Sequence, residues 1–137
     1  MKIKTWLAIL AVAALGNFTP RSSHAQDIDS IAPVVVKTVP EAGSKDVSPG
    51  VVEIKVTFSK DMMDKSWSWS SVWKDSDPET LEKPKYDSDQ RTCVMKVKLE
   101  PNKTYGYWLN SQNFHGFKDQ QDHSAVPYLL VFQTKDK

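Results

Sequence analysis

The stretch over residues 51–62 constrains the fold most, because apolar and polar side chains alternate along it. The apolar set is Val52, Ile54, Val56 and Phe58, and the residues between them are Glu53, Lys55 and Thr57. Successive side chains of a β-strand point to opposite faces, so this pattern predicts a strand with one buried and one solvated face. After Phe58 the chain is expected to turn, with Met62 and Met63 closing over the edge of the core.

Further short segments of the chain have the same strand character. They cover residues 34–39, 66–73, 85–87, 92–99, 104–110 and 127–134. The first is flanked by Pro33 and Pro40, which is typical of an edge strand because proline cannot donate to a ladder. About seven short strands without a three-turn helix predict an all-β domain of two packed antiparallel sheets. Leu99 and Phe132 lie on the inward faces of their predicted strands.

The first 25 residues are predicted to be a secretory signal peptide. Lys2 and Lys4 precede an apolar run over residues 6–15, which is shorter than the roughly 20 residues that span a bilayer. Ser23 and Ala25 supply the small residues needed for cleavage after Ala25. We therefore expect a signal peptide over 1–25, a flexible leader over 26–32 and one domain over 33–137. The expected location is the periplasm or the cell exterior, with no membrane span after cleavage.

The charge balance argues against partners that are bound mainly by electrostatics. The full chain has 18 basic and 17 acidic residues, which become 15 and 17 once Lys2, Lys4 and Arg21 are removed, a net charge near −2. Neither sign dominates, so the composition does not favour nucleic acid or an anionic lipid surface. A single cysteine, Cys93, cannot form an internal disulfide, so packing must stabilise the domain.

The first half of the domain resembles the bacterial Ig-like domains of surface-layer and other exported proteins. The matching positions are Pro40, Gly43, Asp46-Val47, Phe58-Ser59 and Met62, and the run LEPNKTYGYWLN with the final YLLVFQT fits as well. The similarity covers residues 32–135. It implies an Ig-like antiparallel β-sandwich in an exported protein and says little about activity, because one fold serves many functions.

Tyr105 has the spacing of a tyrosine corner, in which a Tyr hydroxyl bonds back to the backbone at a loop that crosses between sheets. Leu99 ends the preceding strand six residues earlier. We expect a structural role for Tyr105.

The sequence lacks the constellations that enzymes use, and no catalytic residue is predicted. Cys93 lies on the inward face of its predicted strand and reads as a small core residue. The serines over 66–71 lack a G-x-S-x-G context.

A polar loop over residues 111–126 holds the candidates for metal binding. They are His115, Asp119, Asp122 and His123. Carboxylates and carbonyls can bind Ca²⁺, but ordinary loop polarity explains the same residues. The chain also resembles periplasmic copper carriers of the CopC kind, which implies Cu(II) ligands at an N-terminal histidine and a late Asp-x-His pair. Here Asp122 and His123 are adjacent, and His24 is N-terminal only if cleavage falls after Ser23. No cofactor is predicted.

Tryptophan is the most unusual feature of the domain. The candidates for ligand or partner binding are Trp67, Trp69, Trp73 and Trp108. At least one Trp of a sandwich is expected to pack between the sheets. Trp108 falls on the outward face of its strand, and a neighbouring final strand would add Leu129 and Val131 to that face. Such a patch marks a protein or glycan partner, unless the 111–126 loop covers it.

The sequence as a whole predicts an exported, non-catalytic Ig-like module with a protein-interaction or cell-surface structural role. Carbohydrate binding through the surface tryptophans is the alternative, and a periplasmic copper carrier is a further one. The partner is expected to be a protein or a glycan.

Overall fold

The computed structural model describes Gly16 and residues 25–137, so the predicted signal peptide lies almost wholly outside the described residues. The regular elements of the described part are one 3-10 turn and eight strands. They are the turn Ile28–Ser30, β1 Val35–Val39, β2 Gly50–Phe58, β3 Trp69–Ser71, β4 Glu79–Thr80, β5 Lys85–Tyr86, β6 Thr92–Leu99, β7 Thr104–Leu109 and β8 Tyr128–Gln133. The all-β prediction is confirmed, with one more short strand than the seven expected.

Two antiparallel sheets form the predicted sandwich. The five-stranded sheet has the order β1-β2-β6-β4, and β5 also pairs with β6. The three-stranded sheet has the order β3-β7-β8. β1 lies at an edge, as its flanking prolines predicted.

The inner faces of both sheets supply the core. In β2 the alternation is confirmed, because Ile54, Val56 and Phe58 are at most 1% exposed. β2 pairs with β6 over eight residues, which places Ile54 opposite Met95. The buried residues of the three-stranded sheet that join this core are Tyr105, Tyr107, Leu109, Leu130 and Phe132.

Between β1 and β2 the chain passes along the edge of the three-stranded sheet. A cis peptide bond joins Val39 to Pro40, and Gly43 follows with a φ of +86°, a conformation that glycine adopts without strain. The Gly43 amide donates to Val131 O (2.7 Å), and Val47 forms a parallel bridge with Thr134. The turn-rich segment after Pro40 thus covers part of the edge of β8.

The strand expected over residues 66–73 is reduced to Trp69–Ser71. It stops there because the chain turns around Ser76, whose hydroxyl accepts hydrogen bonds from the amides of Val72 (2.8 Å) and Trp73 (3.3 Å). The same hydroxyl donates to Gly106 O (3.0 Å). The turn therefore docks on β7 instead of extending the sheet.

The leader expected over residues 26–32 contains the 3-10 turn, which is capped by the Asp27 side chain. The Lys60 ammonium, 7% exposed, donates to Asp29 O (3.0 Å) and Ile31 O (2.9 Å). These bonds attach the leader to the end of the sandwich.

Tyr105 makes the backward contact that defines a tyrosine corner. Its hydroxyl accepts a hydrogen bond from the Glu100 amide at 2.7 Å, and the side chain is 1% exposed. Its ring also lies 5.7 Å from that of Phe132. The contact ties the β6–β7 loop to the core.

In residues 25–137, no helix is long and apolar enough to cross a membrane.

Candidate functional site

The outer face of the three-stranded sheet carries a row of three side chains. β3 places Ser70 opposite Trp108, and β8 places Leu129 on the other side of Trp108. Directly opposite residues of antiparallel strands project to the same face. Since Tyr107 and Leu109 point into the core, this row faces outward. β7 and β8 are therefore neighbours, the arrangement on which the predicted outer patch depended.

Trp73 lies on the same face, against Gly106. A Cβ built on Gly106 would stand 2.7 Å from Trp73 Cζ3 and 3.2 Å from Val72 Cγ2. Gly106 is paired with Val131 and lies two residues before Trp108 in β7. Because Gly106 has no side chain, the indole of Trp73 can pack against the sheet at this position. Trp73 is still 43% exposed.

A tight turn over residues 111–114 borders Trp108 on its other side. The Ser111 amide donates to Phe114 O (2.7 Å), and the Ser111 hydroxyl accepts from the Phe114 amide (3.2 Å). The turn presents Phe114 with 60% of its surface exposed. An open groove of about 500 Å³ runs between this turn and the sheet, lined by Ser70, Ser71, Trp108, Ser111, Gln112, Asn113, Phe114 and Pro127.

The four candidate tryptophans separate into two groups. Trp67 and Trp69 are half-buried and pack against the core. The Trp69 ring lies edge-on to those of Tyr107 (5.2 Å between centroids) and Phe117 (5.7 Å), the arrangement that aromatic pairs prefer. Only Trp73 and Trp108 belong to the outer face of the three-stranded sheet. Trp67 also borders a separate groove whose other lining residues include Asp64 and Lys83.

The loop over residues 111–126 turns inward at Phe117, Asp119 and Ala125, which are buried. Phe117 is fully buried, although the loop was expected to be mostly polar. The buried Asn110 amide donates to Phe117 O and Ala125 O (3.0 Å each), and its carbonyl accepts from the Phe117 amide (2.8 Å). Gly116 lies directly against the Trp67 backbone. These contacts leave only residues 111–114 beside Trp108.

Asp119, one of the predicted metal candidates, is fully buried in this loop. Its carboxylate pairs with the Lys60 ammonium, accepts the amides of Gln121 (2.9 Å) and His123 (2.8 Å), and lies 3.0 Å from His123 Nδ1. Burial acts to raise the pKa of this carboxyl, but the hydrogen bonds from Lys60, His123 and Gln121 outweigh burial and bring the pKa to about 2. Asp119 is therefore ionised at neutral pH, and its carboxylate organises the loop.

The other metal candidates do not join Asp119 in a ligand set. His115 is exposed, and Asp122 pairs with Lys118 at the surface (3.1 Å). Within residues 25–137, no three His, Cys, Asp or Glu side chains come together as metal ligands would. His24, the N-terminal ligand that Cu(II) binding of the CopC kind would require, lies outside the described residues.

Cys93 is fully buried in β6, and this burial raises the pKa of its thiol to about 12. At neutral pH the thiol is protonated, and a protonated thiol is a poor nucleophile.

Sequence reasoning missed Gln112, Asn113 and Phe114 as members of the outer face, and it missed that Trp73 packs on Gly106. A signal existed for that contact, because a glycine inside a strand of alternating aromatics marks the close approach of another group. The 111–114 turn carried no such signal, since its position depends on the burial of Phe117.

Comparison with known families agrees with the fold. The family model described as Bacterial Ig-like domain matches residues 29–134, from the 3-10 turn to just beyond β8. Neither a search of curated proteins nor a search of solved structures gave a match. The matched range includes all eight strands. This chain belongs to the bacterial Ig-like domain family.

Proposed function

We propose that this protein is an exported, non-catalytic Ig-like module that binds a macromolecular partner through the outer face of its three-stranded sheet. One observation carries the proposal. Trp73 and Phe114 are the two large aromatic residues among the exposed apolar side chains of the described part. Both belong to this face, because Trp73 packs on Gly106, two residues before Trp108, and Phe114 lines the groove beside Trp108. Exposed aromatic rings on one face are typical of a binding surface, since monomeric domains seldom leave such groups in water.

The remaining exposed apolar side chains support this choice of face. Apart from Val126 and Leu129, they are the aliphatic residues Ile28, Ile31, Val34, Val36, Val39, Val51 and Leu81, and none of them brings an aromatic ring with it. Exposed aliphatic residues are ordinary on protein surfaces. The three-stranded sheet therefore offers the better binding surface.

Chemical considerations support a non-catalytic role. Catalysis by a nucleophile needs an accessible nucleophile beside a base. Cys93 is buried and protonated, and the carboxylate nearest His123 is already held by Lys60. The groove beside Trp108 has no titratable lining residue.

The proposed export of the protein is supported by its amino-acid sequence and its family. The basic and apolar start of the chain supports a signal peptide cleaved after Ala25, and bacterial Ig-like domains occur in exported bacterial proteins. The test is cell fractionation followed by N-terminal sequencing of the full chain. Recovery outside the cytoplasm with Gln26 as the first residue supports export, whereas an intact Met1 in the cytoplasm contradicts it.

The binding face is tested by photo-crosslinking in cells. Benzophenone, which inserts into C–H bonds of neighbouring molecules, replaces Leu129 on the outer face of the three-stranded sheet. The matched control replaces Val51, which is 59% exposed on the five-stranded sheet. We expect a discrete cross-linked species from position 129 and none from 51. Equal labelling at both positions, or none at 129, would overturn the proposal.

A further inference from the structure

The groove beside Trp108 is lined by uncharged residues only. Its eight lining residues comprise two aromatic rings, three hydroxyl groups, two carboxamides and a proline. The groove at Trp67 differs, because Asp64, Lys65, Lys83 and Lys85 line it. A groove that offers rings and neutral polar groups complements a ligand that is itself uncharged and rich in hydroxyl groups. A nucleic acid or an acidic peptide would find no cation there.

Three of the five polar side chains that line the groove are free to bind a ligand, while the Ser71 hydroxyl donates to Asp77 and the Ser111 hydroxyl accepts from the Phe114 amide. Within residues 25–137, the side chains of Ser70, Gln112 and Asn113 make no hydrogen bond to the protein. The turn that carries the two amides is nevertheless fixed, because the Ser111 amide donates to Phe114 O (2.7 Å) and the Phe114 amide donates to the Ser111 hydroxyl (3.2 Å). Donors and acceptors that are held in place by a braced turn bind at a lower entropic cost than those on a mobile loop.

The two rings give the groove its apolar floor and rim. Trp108 is half-buried in the sheet, so its orientation is set by its neighbours Ser70 and Leu129. Phe114 also lines the groove and is 60% exposed. The face of an aromatic ring is electronegative and attracts polarised C–H groups such as those on one side of a pyranose. The hydroxyl groups at the edge of such a sugar then meet the free amides.

We propose that this groove binds a neutral glycan chain, with Phe114 and Trp108 as stacking surfaces and Gln112 and Asn113 as hydrogen-bonding groups. The inference rests on the proposed function, because it names the partner of the same face. The groove is open, not enclosed, which suits a polymer that lies across the surface. Enclosed pockets that bury most of their ligand suit small molecules.

The test uses the purified protein on a glycan array that includes neutral and uronic-acid-containing chains, followed by calorimetry. Soluble probes are the hexasaccharides of glucose, mannose, xylose and N-acetylglucosamine. The variants are Phe114→Ala and the double variant Gln112→Ala, Asn113→Ala, with Val51→Ala as the matched surface control. All four positions are exposed, so the variants should fold.

We expect saturable binding of at least one neutral chain, weakened at least tenfold by Phe114→Ala and by the double variant, and unchanged by Val51→Ala. No binding of any neutral chain, binding only of acidic chains, or binding that Phe114→Ala leaves intact would overturn the glycan assignment. If position 129 still cross-links to a protein in that case, the proposed function stands and only the partner class is wrong.

Discussion

Trp73 lies on Gly106 so closely that a methyl group at position 106 would come within 2.7 Å of Trp73 Cζ3. We expect Gly106→Ala to displace this indole from the sheet, because the contact is with the far end of an exposed side chain. The loss of stability should be small, below about 1 kcal/mol, since the ring can swing into solvent. Fluorine NMR of fluorotryptophan-labelled protein should show one shifted resonance, that of Trp73.

The assignment of that resonance comes from Trp73→Phe, which should remove it. If the Gly106→Ala substitution leaves the Trp73 resonance in place, the indole does not lie on Gly106. Shifts of the Trp67 and Trp69 resonances are not expected, because those rings pack on the core.

Gly116 differs from Gly106, because its nearest neighbours are backbone atoms of Trp67 and not the end of an exposed side chain. A Cβ at Gly116 would stand 2.2 Å from Trp67 O and 2.8 Å from Trp67 C, and neither atom can swing away. We expect Gly116→Ala to cost about 3 kcal/mol of unfolding free energy, several times the cost of Gly106→Ala. Urea denaturation of both variants measures the difference. Equal costs would contradict the close packing of the loop on Trp67.

The sequence predicted the scaffold well because strand periodicity is a local signal. β6 begins and ends where the alternation did, and β2 buries Ile54, Val56 and Phe58 of the predicted apolar set, with Val52 half-buried. The same signal failed over residues 66–73, where the Ser76 hydroxyl captures the amides of Val72 and Trp73. The Ser76 hydroxyl is itself held by its hydrogen bond to Gly106 O, thirty positions away in the sequence. A local sequence pattern holds no information about such a distant partner.

The candidate site was less predictable, since it combines residues that are distant in sequence. The role of Trp108 followed from its outward position in β7, but Trp67 and Trp69 could not be separated from Trp73 by alternation alone. They pack inward because Phe117 and Tyr107 offer rings at 5.7 and 5.2 Å from Trp69. Phe117 in turn is held by Asn110, whose buried side chain bonds to the Phe117 backbone seven residues along the chain, a contact that no strand periodicity predicts.

Tyr105→Phe should lower stability by about 1 kcal/mol, because the Glu100 amide loses its acceptor. The ring contact with Phe132 remains, so the change isolates the hydrogen bond. Thermal unfolding measures it. Tyr128→Phe is the matched control, since the Tyr128 hydroxyl has no hydrogen bond within residues 25–137 and its removal should leave the melting temperature unchanged. An equal effect of both substitutions would argue against a tyrosine corner.

Asp119→Asn should cost about 3 kcal/mol, because it leaves the Lys60 ammonium buried without its counter-ion. Asp122→Asn serves as the control. Asp122 pairs with Lys118 at the surface with 70% of its side chain exposed, so its loss should change stability by no more than about 0.5 kcal/mol. Chemical denaturation at pH 7 compares the two. Similar costs would show that the Lys60–Asp119 pair contributes little.

The same carboxylate should make the fold sensitive to acid. The pKa of Asp119 falls from 3.8 to about 2 on folding, because its hydrogen bonds to Lys60, His123 and Gln121 outweigh the effect of burial. A depressed folded-state pKa adds stability above the unfolded-state value, and that stability is lost as pH falls from about 4 towards 2. The expected loss is about 2 kcal/mol from this group. Urea unfolding at pH 7, 4 and 2.5 should show it in the native protein, and the Asp119→Asn variant should have a smaller decline over the same interval. Parallel declines in both proteins would assign the acid sensitivity to other carboxylates.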